Sequence, residues 1–192
     1  MKKFGLLAAL MIFFCGASLS AKSFDWSECW CNYGGGIKEG DFLVNAGGGL
    51  WYSDFGYAVH DGFWFIPPVM AEVQYAQKIW ELPFTFGGYA GMRGYGYEYT
   101  NEKNETVKAK YFGVFFGGQA SYHIQLPPKG LDVFATTRLG VNVPFVKPGK
   151  YWAPDYFQLG QSFGANWFFS DMLGINLEFG FPFSKFGVAI KF

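Results

Sequence analysis

From residue 41 to the C-terminus, apolar side chains alternate one by one with small or polar ones, interrupted by turns and polar stretches. Successive side chains point to opposite sides of a β-strand, so a period of two predicts strands. The alternation predicts eight: residues 41–52, 69–79, 84–97, 111–124, 131–141, 156–168, 173–181 and 185–192. In the fifth, Leu131, Val133, Ala135, Thr137, Leu139 and Val141 share one face, while Asp132, Phe134, Thr136, Arg138 and Gly140 share the other. The last two read the same way. Leu173, Ile175, Leu177, Phe179 and Phe181 oppose Gly174, Asn176, Glu178 and Gly180; Phe186, Val188, Ile190 and Phe192 oppose Lys185, Gly187, Ala189 and Lys191.

The connections run long, short, long, short, long, short, short. The long ones are predicted at residues 53–67, 98–110 and 144–154, and the short ones at 80–83, 127–130 and 170–171, with a Pro-containing turn near 182–184. An even number of strands of about ten residues, with short turns on one side and longer loops on the other, is the pattern of a transmembrane β-barrel. The fold class expected is therefore all-β, an eight-stranded antiparallel up-and-down meander.

The two faces decide which kind of barrel. One is continuously apolar and aromatic; the other carries Glu72, Gln74, Arg93, Arg138, Asn166, Asn176 and Glu178 among many glycines. Eight strands leave an interior just wide enough for side chains. Small and polar residues suit that lumen, and Phe, Leu and Val suit a lipid-facing belt. Because an unpaired buried charge is costly, Glu72 and Glu178 are expected to pair with Arg93 and Arg138 across the lumen. Lumen glycines argue for free volume, and the large inward Tyr89, Phe115 and Phe134 argue against it. Aromatic residues near strand ends (Trp51, Tyr52, Tyr95, Tyr97, Tyr111 and Tyr156 on the loop side; Trp80, Tyr122, Trp167 and Phe169 on the turn side) are expected to form interfacial girdles.

Composition agrees: 51% hydrophobic, 22% aromatic and only 16% charged, against roughly 25% charged in soluble domains. The formal net charge of zero gives no electrostatic support to a nucleic-acid partner. Met1-Lys2-Lys3, the apolar stretch at residues 6–14 and the small residues 16–21 read as a signal peptide, residues 1–21, with cleavage after Ser20. Residues 22–40 are expected to be an N-terminal periplasmic lead-in, and 41–192 the barrel. Cys29 and Cys31, one residue apart, are read as thiols of that lead-in or a local disulfide; no metal site is expected, as no His lies nearby.

With these features in place, residues 41–192 resemble the small outer-membrane barrels of diderm bacteria, the OmpX, OmpW and OmpA-barrel group with its opacity-type members. The Gly- and aromatic-rich style is also similar to spirochaetal outer-membrane proteins. The C-terminal FGVAIKF, with Phe186, Val188, Ile190 and the terminal Phe192, resembles the signal read by the outer-membrane assembly machinery. The resemblance implies residence in the bacterial outer membrane as a monomer. Its partners would be outer-membrane lipid, periplasmic chaperones and the assembly machinery, with a small solute or a host surface ligand met through the loops.

No catalytic residue and no cofactor is expected. His60 lies beside Asp61 in the first long loop, with Ser53 nearby, and His123 follows Ser121 on the inward face at the turn end. The alternative reading is a lipid A-modifying enzyme: a deacylase would need its His and Ser on the lipid-facing side near the outer leaflet, whereas His60-Asp61 with Ser53 would be a loop-borne set like that of a palmitoyl transferase. The function expected is structural and surface-interacting, with narrow-pore transport of small solutes as its second part.

Overall fold

The structure is a computed structural model that describes residues 28–51, 62–100, 103–146 and 157–192. The leader, His60-Asp61 with Ser53, Tyr52 and Tyr156, and the side chains of Trp51 and Tyr97 lie outside what is described.

Eight strands close in sequence order, each antiparallel to its neighbours: β1 Phe42–Trp51, β2 Gly62–Ile79, β3 Leu82–Thr100, β4 Thr106–Gln125, β5 Leu131–Val146, β6 Phe157–Phe168, β7 Leu173–Phe181 and β8 Phe183–Lys191. Closure is made by β1 and β8, in register from Leu43↔Lys191 to Trp51↔Phe183. At the turn side two backbone bonds pin that seam: the Phe42 amide donates to the Phe192 carbonyl (2.7 Å) and the Phe192 amide to that of Phe42 (3.0 Å).

Four strands reach further on the loop side than alternation indicates. Residues 62–68, 98–100, 106–110 and 142–146 are paired strand rather than loop. Residues 98–100 and 106–110 flank a charged run, and the other two stretches contain Pro67, Pro68 and Pro144, so all of them read as loop from sequence while backbone pairing continues through them. Pro67 and Pro68 sit where the β2–β3 register shifts between Ile66 and Val69; a residue without an N–H is tolerated at such a bulge. On the turn side Trp80 and Glu81 alone connect β2 to β3. Both have positive φ, 50° and 66°, the left-handed pair of a type I′ hairpin. The β6–β7 turn spans residues 169–172, two more than expected, and Ser170 Oγ accepts the Leu173 amide at 2.8 Å.

Inside and outside are inverted relative to a protein folded for water. The exposed outer wall carries Phe86, Phe116, Leu139, Leu159, Phe163, Phe179 and Phe186, the last 60% exposed. Among the largest fully buried side chains are Glu72, Glu178, His123, Asn45, Asn142, Asn166 and Asn176. Trp80, Trp167 and Phe169 are exposed at the turn-side rim. Tyr95 and Tyr111 are a correction: they point into the barrel, 1% and 0% exposed, and contribute nothing to an outer girdle.

Candidate functional site

The lumen is filled in layers, each set by inward positions that cross-strand register brings level. The central layer is ionic. Glu72 (β2), Arg138 (β5), Glu178 (β7) and Lys185 (β8) come from strands spread around the wall and meet at its axis. Arg138 spans both carboxylates, one Nη 2.8 Å from Glu72 Oε2 and the other bonded to Glu178 Oε1. Lys185 Nζ donates to Glu72 Oε1 at 2.5 Å and lies 3.2 Å from Glu178 Oε2. Two anions and two cations therefore neutralise one another. Neutral partners complete the shell: Asn45 Nδ2 and Gln119 Nε2 donate to Glu72 (2.9 and 3.0 Å), Arg138 Nε donates to Gln119 Oε1 (2.8 Å), and Ser162 bonds both Arg138 and Glu178. Charges this deep are stable only when paired and hydrogen-bonded.

Of the residues singled out from sequence, Glu72, Glu178 and Arg138 are brought together as expected. Arg93 is not part of the cluster. It sits toward the loop side, its guanidinium 5.2 Å from the Tyr111 ring centroid. Glu72 pairs across with Tyr89, and Arg93 is four residues further along β3, about 13 Å at the strand rise. Lys185 takes the role given to Arg93. Its signal was in the sequence: it shares the inward face of β8 and stands directly opposite Glu178 in the terminal hairpin.

Gln74, Asn166 and Asn176 belong to the next layer toward the turns. Asn176 Nδ2 donates to Asn166 Oδ1 (2.8 Å), whose Nδ2 donates to Asp132 Oδ2 (3.0 Å). His123 Nδ1 faces both Asp132 oxygens at 3.0 and 3.1 Å, and its Nε2 is 2.9 Å from Thr85 Oγ1. Thr85 and Ser121 both donate to Gln74 Oε1. Ser121, two residues from His123, contacts Gln74 and Thr136 rather than the imidazole. Thr85, His123 and Asp132 have the acid–imidazole–hydroxyl order of a hydrolase triad, yet all three are at most 1% exposed. Among the described residues, no three His, Cys, Asp or Glu side chains converge to hold a metal ion.

Toward the loops an aromatic layer follows, Met70, Tyr89, Phe115 and Phe183. Here the inward glycines find their use. A Cβ on Gly91 would lie 2.3 Å from Phe115 Cζ and one on Gly140 2.3 Å from the Tyr89 hydroxyl; on the turn side of the ionic layer, one on Gly164 would lie 2.7 Å from Phe134 Cζ. These three glycines are sockets for aromatic side chains from other strands, so they create no free volume.

The turn-side mouth is closed by residues 28–40. Tyr33 and Ile37 enter it and pack with Leu43, Ala76, Phe168 and Ala189. The Tyr33 hydroxyl donates to the Phe84 carbonyl (2.7 Å), its ring lies 5.6 Å from that of His123, and burial pushes its pKa up to about 12. The Gly34-Gly35-Gly36 run is a close approach: a Cβ on Gly34 would meet the Leu131 carbonyl at 2.5 Å. No disulfide joins Cys29 and Cys31; Cys29 is buried and Cys31 half-buried. Phe186, Val188 and Phe192 of the C-terminal pattern are exposed on the outer wall, and Ile190 is half-buried there.

Comparison of the chain with protein-family models, with curated proteins and with solved structures finds no match in any of the three.

Proposed function

We propose that this protein is an integral outer-membrane β-barrel with a closed lumen, a scaffold that holds its loop-side hairpins at the cell surface. The observation that carries this reading is the inversion of the wall: apolar and aromatic side chains outward, ion pairs and amides inward. In water so large an apolar exterior is an aggregation liability. In lipid it is the favourable surface, and closure satisfies the backbone groups that hydrocarbon cannot. Trp80, Trp167 and Phe169 on the turn-side rim suit a periplasmic interface. The leader-like residues 1–21 and the pattern of Phe186, Val188, Ile190 and Phe192 support export and delivery by the assembly machinery.

Transport of small solutes has the filled lumen against it. The ionic layer, the aromatic layer and the N-terminal segment lie across the lumen one after another, and a solute would have to break buried ion pairs to pass. The buried positions of Thr85, His123 and Asp132 likewise keep substrate from the one acid–imidazole–hydroxyl arrangement among the described residues.

The test is to refold the mature chain into lipid vesicles. Flotation with the vesicles and a gel mobility that changes on boiling are expected, followed by no conductance in a planar bilayer. Failure to float would remove the membrane assignment, and discrete conductance steps from folded protein would overturn the closed lumen.

A further inference from the structure

Residues 28–40 offer more than an end to the chain. From Cys29 to Gly35 their anchors lie on four different strands: the Gln125 amide (β4) donates to the Cys29 carbonyl at 3.0 Å, the Tyr33 hydroxyl to Phe84 (β3), the Gly35 amide to Leu131 (β5) at 2.8 Å, and Lys191 Nζ (β8) to the Gly35 carbonyl at 2.6 Å. These acceptors and donors converge only when the barrel is already closed. Beneath them lie His123 and Asp132, the latter with its Cβ 3.0 Å from where a Cβ on Gly35 would be. The segment joins β1 through Gly40, whose φ is +95° and around whose would-be Cβ nothing lies within 4 Å. Gly40 is itself tied to the barrel, its amide donating to the Ala76 carbonyl of β2 at 2.8 Å, so the segment pivots where it leaves a held position.

We infer that residues 28–40 are a lid in cis: hinged at Gly40, it docks into the turn-side mouth after the barrel has closed. Docked, it keeps water from the Asp132–His123 pair and latches the strands against separation. A contact formed after the folding transition state slows unfolding and leaves the folding rate unchanged. The lid opens as its own unit, below the free energy of global unfolding, because it lies outside the strand ladders that hold the barrel closed.

The test uses the folded full-length barrel in detergent micelles, with maleimide labelling read by peptide mapping. Cys29, 1% exposed, is expected to be protected, while the half-buried Cys31 reacts. Gly34→Val, which cannot seat its side chain against Leu131 and Asp132, should expose Cys29 and raise the unfolding rate about tenfold, with the folding rate unchanged. Should that variant fail to fold, amide exchange in the wild type decides. The Gly35 amide should be protected, yet exchange faster than the mid-barrel amide of Glu72. Cys29 reacting in the folded wild type at its unfolded rate overturns the lid, as does Gly34→Val with unchanged labelling and unfolding. Gly35 exchanging only with the whole barrel would show that the segment does not open on its own.

Discussion

Glu178 and Lys185 face each other across the β7–β8 hairpin, and Lys185 Nζ, 3.2 Å from Glu178 Oε2, also reaches Glu72 on β2. The ammonium thus joins a local partner to one 113 residues away. Replacing it by an apolar side chain of similar length leaves two buried carboxylates sharing Arg138 alone. Lys185→Met is expected to destabilise the folded barrel by about 3–5 kcal/mol, the cost of breaking a buried pair from one side. Lys185→Met with Glu178→Gln should recover a large part of that loss, because one anion is neutralised with its cation. Denaturant unfolding in micelles measures both. A single variant within 0.5 kcal/mol of wild type would show that the ionic layer holds nothing together.

The glycine sockets give a second expectation. A Cβ on Gly91 meets Phe115 Cζ and the Val69 carbonyl oxygen, each at 2.3 Å. Gly91→Ala should cost about 1–3 kcal/mol, as overpacking does. Gly91→Ala combined with Phe115→Leu should cost less than the two single changes added together, since the shorter side chain vacates part of the socket. Were Gly91 a lining of open lumen instead, the alanine would be neutral and the two changes would add.

Much of this was legible in the sequence, for a physical reason. Period-two alternation survives wherever one wall face is apolar, so every strand was found within that belt and its inward set, including Glu72, Arg138 and Glu178, was assigned to the right face. Strand extensions such as residues 106–110 were missed because their lysines and the charged run before them read as an exposed loop, while backbone pairing with residues 96–100 continues through them. Arg93 and Lys185 were exchanged because face does not give height. Height follows from register and strand tilt, which depend on how β3 and β8 are staggered around the closed wall. The aromatic sockets were invisible for a related reason: that Gly140 lies beneath the Tyr89 ring depends on two strands separated by β4. The lid was least legible. Residues 28–40 have no period, and a run of three glycines reads as a flexible linker until Leu131 and Phe168 are seen against it.

The lid also carries a pH dependence. Burial, followed by the carboxylates of Glu39, Asp132 and Asp41 and the hydroxyl of Tyr75, raises the Tyr33 pKa from 10 to about 12. Docking therefore favours the protonated phenol, which donates to the Phe84 carbonyl. Its contribution is fully present below the pKa of free tyrosine and is lost as pH rises from about 10 toward 12. Labelling of Cys29 should accelerate over that interval in the wild type beyond the change shown by Cys31, and Tyr33→Phe should flatten the excess. An excess that persists in Tyr33→Phe would assign the opening to another group.

The last expectation separates a membrane wall from a soluble one. Leu139 is 51% exposed on the outer face, one residue from Arg138 in the central ionic layer, so it marks the middle of the apolar belt. On the surface of a protein in water, Leu139→Arg would be tolerated within about 0.5 kcal/mol. In a bilayer the same change places a guanidinium in hydrocarbon and should cost about 2–4 kcal/mol at mid-depth, falling to about 0–1 kcal/mol near an interface. Trp167, exposed at the turn-side rim, supplies the interfacial comparison. Reversible folding into vesicles of Leu139→Arg and Trp167→Arg, each measured against its own alanine variant, reads the depth dependence directly. A steep difference between the two sites is expected because both arginines leave the lumen untouched and differ only in how far the charge must travel to reach water. Equal and small costs would mean that the outer wall faces water at both heights.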